Sequence, residues 1–313
     1  MYNNFVIKNF QTTIAKPVNF RGVGLHSGEN SEISIKPAKA NQGIIFRRTD
    51  IRENNIIQAN YKKVTSAKLC TTLENDHGAK VSTVEHLLAA LYIAEIDNVL
   101  IDINNEEVPI MDGSAKIFLE TLKKSEIITL SEKRNYLKVT DKFEITDGDK
   151  KISIEPNDDT LEVDFQLNYD NRVISKQKNT VNFNYDNIDS IGESRTFCLF
   201  KDIEQIKKAG LAQGGSLENA IVVDEEKVLN EEGLRNEKEF VNHKILDLVG
   251  DFMLSGYRIL GKVNCYQGGH LLTNNFLRKL LSEGKTQKFK KIEKIKISEK
   301  LSQNTQEKIA ITA

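Results

Sequence analysis

HKILDLVGD, residues 243–251, sits in a stretch (residues 240–257) that is apolar all round and free of proline, which reads as a mostly buried helix. His243, Asp247 and Asp251 fall at i, i+4 and i+8, so they share one stripe of it. An imidazole and two carboxylates among apolar residues are costly unless something pairs with them. A divalent metal is an economical partner, because a histidine and a carboxylate one turn apart can point at one ion. A helix with a hydrated polar face is the plainer alternative, since polar residues four apart usually mark only a solvated stripe.

The stretch has an echo upstream. Val84-Glu85-His86-Leu87-Leu88-Ala89-Ala90-Leu91 matches Val241-Asn242-His243-Lys244-Ile245-Leu246-Asp247-Leu248. Earlier in each half a turn leads into a strand motif: Ser27-Gly28-Glu29 into ISIKP (residues 33–37), and Asp147-Gly148-Asp149 into ISIEP (residues 152–156). Two matches in one order indicate a duplicated β-then-α unit, with chance likeness between short motifs as the competing explanation. The offsets, 119 residues for the strands and 157 for the helices, imply about 38 extra residues in the second half. If like halves face each other, His86 meets His243 at their interface, where ligand sites tend to form. His86, His243 and Asp247 then make three ligands with an open position, the arrangement of catalytic zinc.

Outward from these landmarks the first quarter alternates in a strand-like way over residues 12–20, 32–36, 43–47 and 55–64. Residues 82–94 (STVEHLLAALYIA) read as a helix with Ser82 or Thr83 as N-cap, and residues 98–103 (NVLIDI) as a buried strand. The turn-rich EEVPIMDG (residues 106–113) leads to a second helix over 114–124. Past a polar link at 131–135, strands return at 137–145, 151–155 and 161–167, and a last helix is expected over 271–281.

A net charge of −1 argues against a nucleic-acid binder that works through a strong global field. Cys70, Cys198 and Cys265 lie far apart with no CxxC spacing, which fits free thiols in a reducing compartment. The N-terminus shows no signal-peptide pattern and no run is long enough to span a membrane, so a cytoplasmic location is expected. The tail, residues 285–313, holds eight lysines and three glutamates; a solvated end is the plain reading and a weak membrane-surface contact the sharper one.

Five histidines are available for chemistry: His26, His77, His86, His243 and His270. Glu85, beside His86, stands where a general base would reach a metal-activated water, or is simply a first-turn glutamate favoured by the helix dipole. His270 follows Gly268-Gly269 at a strand-to-helix junction, where a histidine can act as an acid or electrostatic stabiliser and can equally be a surface residue. Asp251, one turn beyond Asp247, is the candidate to orient and charge a nearby histidine. His26 and His77 sit in turn-like contexts and read as structural. Gly22-Val23-Gly24 and Gly214-Gly215-Ser216 mark turns rather than nucleotide cradles, and HExxH is absent.

TVEHLLAAL (83–91), PIMDGSA (109–115), SRTF (194–197), GLAQGGSLENAIVVD (210–224), HKILDLVGD (243–251) and GGH (268–270) occur in one order. Together they resemble the zinc-dependent UDP-3-O-acyl-N-acetylglucosamine deacetylases of lipid A biosynthesis in Gram-negative bacteria, over residues 19–281. The resemblance implies a mixed α/β (α+β) fold of two duplicated domains, each a β-sheet layer packed on helices. The boundaries would be 1–132, with an insert near 51–77, and 133–313, with an insert near 197–223 lining a passage for an acyl chain. It implies His86, His243 and Asp247 as ligands of one Zn²⁺, with Fe²⁺ an alternative occupant. It further implies Glu85 as general base and His270, backed by Asp251, as acid and oxyanion stabiliser. Thr196 would help to hold the oxyanion; Lys244, Lys150 and Phe197 would contact substrate. Its partners would be the UDP-linked 3-O-acyl sugar and water. One departure from the family pattern is Gln267, where a basic residue is common; it bears on a diphosphate contact and not on the hydrolytic step. Two other readings are a related zinc amidohydrolase with another substrate, and a non-enzymatic duplicated α/β binding module.

Overall fold

Alternation along Asn30–Pro37 puts Ser31, Ile33 and Ile35 on one buried face, as a strand packed on a core requires. Ile33 lies opposite Phe20 and Ile103, and Ile35 opposite Val18 and Ile101. In the computed structural model, which describes residues 9–289, this strand is second in a five-stranded sheet. The order is Val18–Val23, Asn30–Pro37, Val99–Ile103, Ile44–Arg48, Ile56–Gln58.

The same order recurs in the second half as Phe143–Asp147, Lys150–Glu155, Arg258–Tyr266, Leu161–Asn168, Lys176–Asn182. The sense repeats too: both sheets run antiparallel, antiparallel, parallel, antiparallel across the series. Ile152 and Ile154 take the places of Ile33 and Ile35, opposite Cys265 and Val263 on the central strand. One more antiparallel pair repeats, Phe10–Ile14 with Ile127–Lys133 and Tyr136–Val139 with Thr286–Phe289; the latter joins its sheet through Arg258–Tyr266. The duplication suggested by two short motifs therefore extends to the topology of both halves.

Among the described residues six helices accompany the sheets: α1 (Glu85–Ile93), α2 (Lys116–Lys124), α3 (Asp189–Gly192), α4 (Phe200–Lys208), α5 (Glu239–Met253) and α6 (His270–Ser282). The parallel step in each sheet needs a long crossover, and α1 and α5 lie on it, each just ahead of its central strand. Between the fifth strand and α1 the first half adds a 3₁₀ turn, Tyr61–Lys63, and a meander of Val64–Ser66, Thr72–Glu74 and Lys80–Val81. At the same place the second half adds α3, α4 and the parallel pair Phe197–Leu199 with Ile221–Val223.

α1 and α5 pack on each other. All of α1 except Ile93 and all of α5 except Lys244 is buried, with Phe240, Ile245, Val249 and Phe252 in the core. Each such side chain contributes about 1.5–3 kcal/mol by leaving water. Gly250 makes the crossing close: a Cβ there would lie 2.1 Å from the carbonyl oxygen of Glu85. That approach puts the first turn of α1 against the polar stripe of α5.

Four local readings differ from the structure. The strand expected over 55–64 keeps only Ile56–Gln58 in the sheet, because Asn60 accepts the Lys62 N–H and caps the 3₁₀ turn Tyr61–Lys63, after which Val64 opens a strand of another sheet. The strand expected over 12–20 is two strands, because Pro17 lacks the N–H to continue a ladder. The strand expected over 137–145 breaks at Thr140-Asp141-Lys142, where the Thr140 hydroxyl bonds the Asp141 side chain, and resumes at Phe143 on another edge. Neither Ser82 nor Thr83 caps α1: Val84 holds the cap position, while Thr83 sits at φ +56° and gives its hydroxyl to Glu107. The tail beyond residue 289 lies outside the described residues. Among those described, no helix is long and apolar enough to cross a membrane.

Candidate functional site

Where α1 meets α5 the two equivalent histidines come together, with ring centroids 5.0 Å apart and planes near perpendicular. Asp247 Oδ1 lies 3.5 Å from His86 Nε2 and 3.3 Å from His243 Nε2, and all three residues are buried. One ligand atom from each falls within 4.8 Å of the others. The stripe on α5 is therefore no hydrated face.

Two observations fit this trio to a cation. Asp247 Oδ1 is buried without a hydrogen-bond partner, a costly state for a carboxylate oxygen unless a positive centre meets it. Burial also drives His243 down to about 3, so its imidazole is neutral and free to ligate. Its Nδ1 lies 3.1 Å from the Ser194 carbonyl, which leaves Nε2 turned to the focus, the usual outer-shell support of a ligating histidine. His86 Nδ1 has no such support. Burial would raise Asp247, but the surrounding donors and positive charge, that of Lys244 among them, outweigh it and hold this carboxyl well below its ordinary range. Lys244 Nζ lies 2.5 Å from Asp247 Oδ2 and over the Phe197 ring at 5.7 Å. The lysine expected to meet substrate is thus already paired with a candidate ligand.

Beside the trio stand Glu85 and His270. The Thr71 N–H donates to Glu85 Oε2 at 3.0 Å, and Glu85 Oε1 lies 3.7 Å from His270 Nε2. Burial pushes the Glu85 carboxyl up, against the opposing pull of His270 and His86. His270 opens α6, and its Nδ1 lies 2.8 Å from Asp251 Oδ2. Burial disfavours its charge, yet the carboxylates of Asp251, Glu85 and Asp247 prevail and raise it to about 10, so the ring is a cation at neutral pH. A carboxylate and an imidazolium of such different character in one pocket is the arrangement that acid–base chemistry needs.

Thr196 lies just ahead of the strand Phe197–Leu199, which leaves this centre. The Thr196 N–H bonds the Gly113 carbonyl, and the Phe197 ring lies 6.2 Å from that of His243. Both residues line a cavity of about 380 Å³ whose wall is mostly apolar, with Leu25, Ile203, Ile206 and Val222 among its side chains. Lys150 is not in the cluster. It is exposed at a hairpin tip, one residue before Lys151, which pairs with Tyr266 next to Gln267.

Several contributors carry no signal in the sequence. His26, whose turn-like context reads as structural, lines the same cavity, and its Nδ1 accepts the Ala212 N–H at 3.4 Å. Glu107 accepts from His26 N, Ser27 N and the Thr83 hydroxyl, fixing the loop ahead of α1. The Arg195 guanidinium, on Glu239 of α5, pins the Ser194–Phe197 segment to the helix that carries His243. Thr71 touches both Glu85 and Asp251. None has a spacing signal, because each reaches the site from another part of the chain. His77 is exposed in a turn, as its sequence context suggests.

A duplicated α/β scaffold with two imidazoles and a carboxylate converging beside a carboxylate–imidazolium pair defines a hydrolase of the metal-assisted class. The family model described as UDP-3-O-acyl N-acetylglycosamine deacetylase matches residues 11–282, and the chain belongs to that family. It is 42% identical to the UDP-3-O-acyl-N-acetylglucosamine deacetylase of Pseudoalteromonas translucida (strain TAC 125), over 87% of this chain and 90% of that one. It is 40% identical to that of Haemophilus ducreyi (strain 35000HP / ATCC 700724) over the same shares, and 42% identical to that of Geotalea uraniireducens (strain Rf4) over 87% and 89%.

Proposed function

We propose that this protein hydrolyses the 2-acetamido group of UDP-3-O-((3R)-3-hydroxyacyl)-N-acetylglucosamine, releasing acetate and the free amine in lipid A biosynthesis. The observation that carries this reading is the buried convergence of His86, His243 and Asp247 beside Glu85 and His270, next to an apolar cavity suited to an acyl chain. The family and the names of the relatives support the substrate class. Two imidazoles and one carboxylate suit zinc, with iron(II) an alternative occupant.

The chemistry such an ion supplies is polarisation of an amide carbonyl and acidification of water to a pKa of about 7. Glu85 has one oxygen held by Thr71 and the other free, so Oε1 takes the proton as water attacks the carbonyl carbon. The Thr196 hydroxyl and the charge on His270 stabilise the developing oxyanion, preorganised donors worth roughly 3–4 kcal/mol each. His270, anchored through Nδ1 to Asp251, donates from Nε2 to the nitrogen. The C–N bond breaks, the water oxygen stays with acetate and the nitrogen leaves as an amine. Phe197 and the cavity it lines receive the 3-O-acyl chain. Lys244 adds positive charge beside the site, and Lys150 meets the nucleotide end at the rim.

The two domains are assigned to residues 1–132 and 133–313. A cytoplasmic location agrees with three free thiols, of which burial pushes Cys70 and Cys265 up to about 12. The deciding experiment measures acetate release from the 3-O-acylated UDP-N-acetylglucosamine before chelation, after it, and after zinc is restored. Activity should vanish and return. Acetate release that survives complete metal removal refutes the metal reading; no release by zinc-loaded protein refutes the substrate.

A further inference from the structure

Thr71 directs three of its polar groups to the site. Its N–H donates to Glu85 Oε2 at 3.0 Å, its carbonyl accepts the Val84 N–H at 3.5 Å just ahead of α1, and its hydroxyl donates to Asp251 Oδ1 at 2.6 Å. The residue is 2% exposed and comes from the segment added to the first half, while Asp251 belongs to α5 of the second. Two buried carboxylates in one pocket repel each other, and each has two oxygens that could face the reaction. With Thr71 in place the choice is made for both: Glu85 keeps Oε1 free, 3.7 Å from His270 Nε2, and Asp251 keeps Oδ2 on His270 Nδ1 at 2.8 Å.

We infer that Thr71 is a positioning residue that fixes the rotation of the Asp251 carboxylate, and through it the His270 imidazole, relative to Glu85. This rests on the roles proposed above for Glu85 and His270. The contacts divide cleanly for a test. The bonds to Glu85 and Val84 are made by the Thr71 backbone, so Thr71→Val removes only the hydroxyl bond to Asp251 at nearly constant shape, and Thr71→Ser keeps it.

The experiment pairs kinetics with a signal that needs no turnover. In zinc-loaded protein labelled with ¹⁵N-histidine, the Nδ1 proton shared by His270 and Asp251 should give a downfield resonance that disappears in His270→Gln. Thr71→Val should move or broaden that resonance and lower kcat between tenfold and a hundredfold, roughly the cost of a misplaced catalytic group. KM should stay within about twofold, because a positioning fault acts in the transition state. Thr71→Ser should restore both. An unchanged resonance in folded Thr71→Val overturns the inference whatever the rate does; so does Thr71→Ser impaired as badly as Thr71→Val, which would mean packing alone. If wild-type protein releases no acetate while the resonance responds as described, the substrate reading fails and the positioning role stands.

Discussion

α1 and α5 occupy the same place in two halves of identical strand order, yet they bring different chemistry to their crossing. Each supplies one imidazole, His86 and His243. Beyond that pair the helices diverge. In the alignment of the two motifs Ala90 stands where α5 has Asp247, Ala94 where it has Asp251, and Asn242 where α1 has Glu85. The two histidines are equivalent but the acids around them are not: Asp247 and Asp251 come from α5, where the α1 segment has alanines, and Glu85 comes from α1, where α5 has an asparagine. Gly250 of α5 lets the two backbones approach at the Glu85 carbonyl.

The strongest break of this comparison removes one of its equivalent members. His243→Ala and His86→Ala should each lower metal affinity by more than about a hundredfold, beyond what the loss of an outer-shell partner causes. Turnover should fall with it. Metal content after dialysis, read alongside acetate release, checks this, and a variant that keeps stoichiometric metal would show that the two imidazoles do not act as a pair. The next contrast concerns the unequal neighbours of those histidines. Glu85→Gln should lose between about a hundredfold and ten-thousandfold in kcat while retaining metal. Asn242→Ala, at the matching position, should leave kcat unaltered, because Asn242 bonds Asn179 and Asn236 instead of the site. Equal losses would make the asymmetry incidental.

The helix-level contrast was visible in the sequence, because i, i+4, i+8 spacing and a repeated octapeptide are local signals. So was the alternating face of Asn30–Pro37 and its copy. What spacing cannot carry is a contact made across the fold. Thr71 reaches Asp251 across 180 residues and Arg195 reaches Glu239 across 44, and nothing in KLCTTL or SRTF announces the partner. The same limit explains Thr83: its local context favours a helix cap, but Glu107, 24 residues on, takes its hydroxyl. His26 reads as a turn residue and is one, and it also walls the cavity through its contact with Ala212, 186 residues away.

The close approach itself can be tested by steric load. Gly250→Ala places a methyl against the Glu85 carbonyl, a backbone atom that cannot swing aside. It should destabilise the fold by about 1–3 kcal/mol, the usual cost of overpacking, as read from denaturant midpoints. An unshifted midpoint would mean that the helices separate easily and that Gly250 does not set their distance.

The smallest effect is expected at the rim. Lys150 and Ser31 hold matching positions in the second strand of the two sheets, at the same offset as the ISIxP motifs. Ser31 is buried, whereas Lys150 is exposed beside the turn that leads to His270. A cation there can meet the charged end of a nucleotide-linked substrate but not the reacting amide. Lys150→Ala should therefore raise KM several-fold and leave kcat unchanged, the signature of binding shared by ground and transition states. Because the side chain is exposed, the effect should shrink as salt is raised and the Debye length falls from about 10 Å at 0.1 M toward about 3 Å at 1 M. A KM that does not respond to the substitution at low salt would remove Lys150 from the substrate contacts. A response in kcat instead would place it nearer the chemistry than its hairpin tip allows.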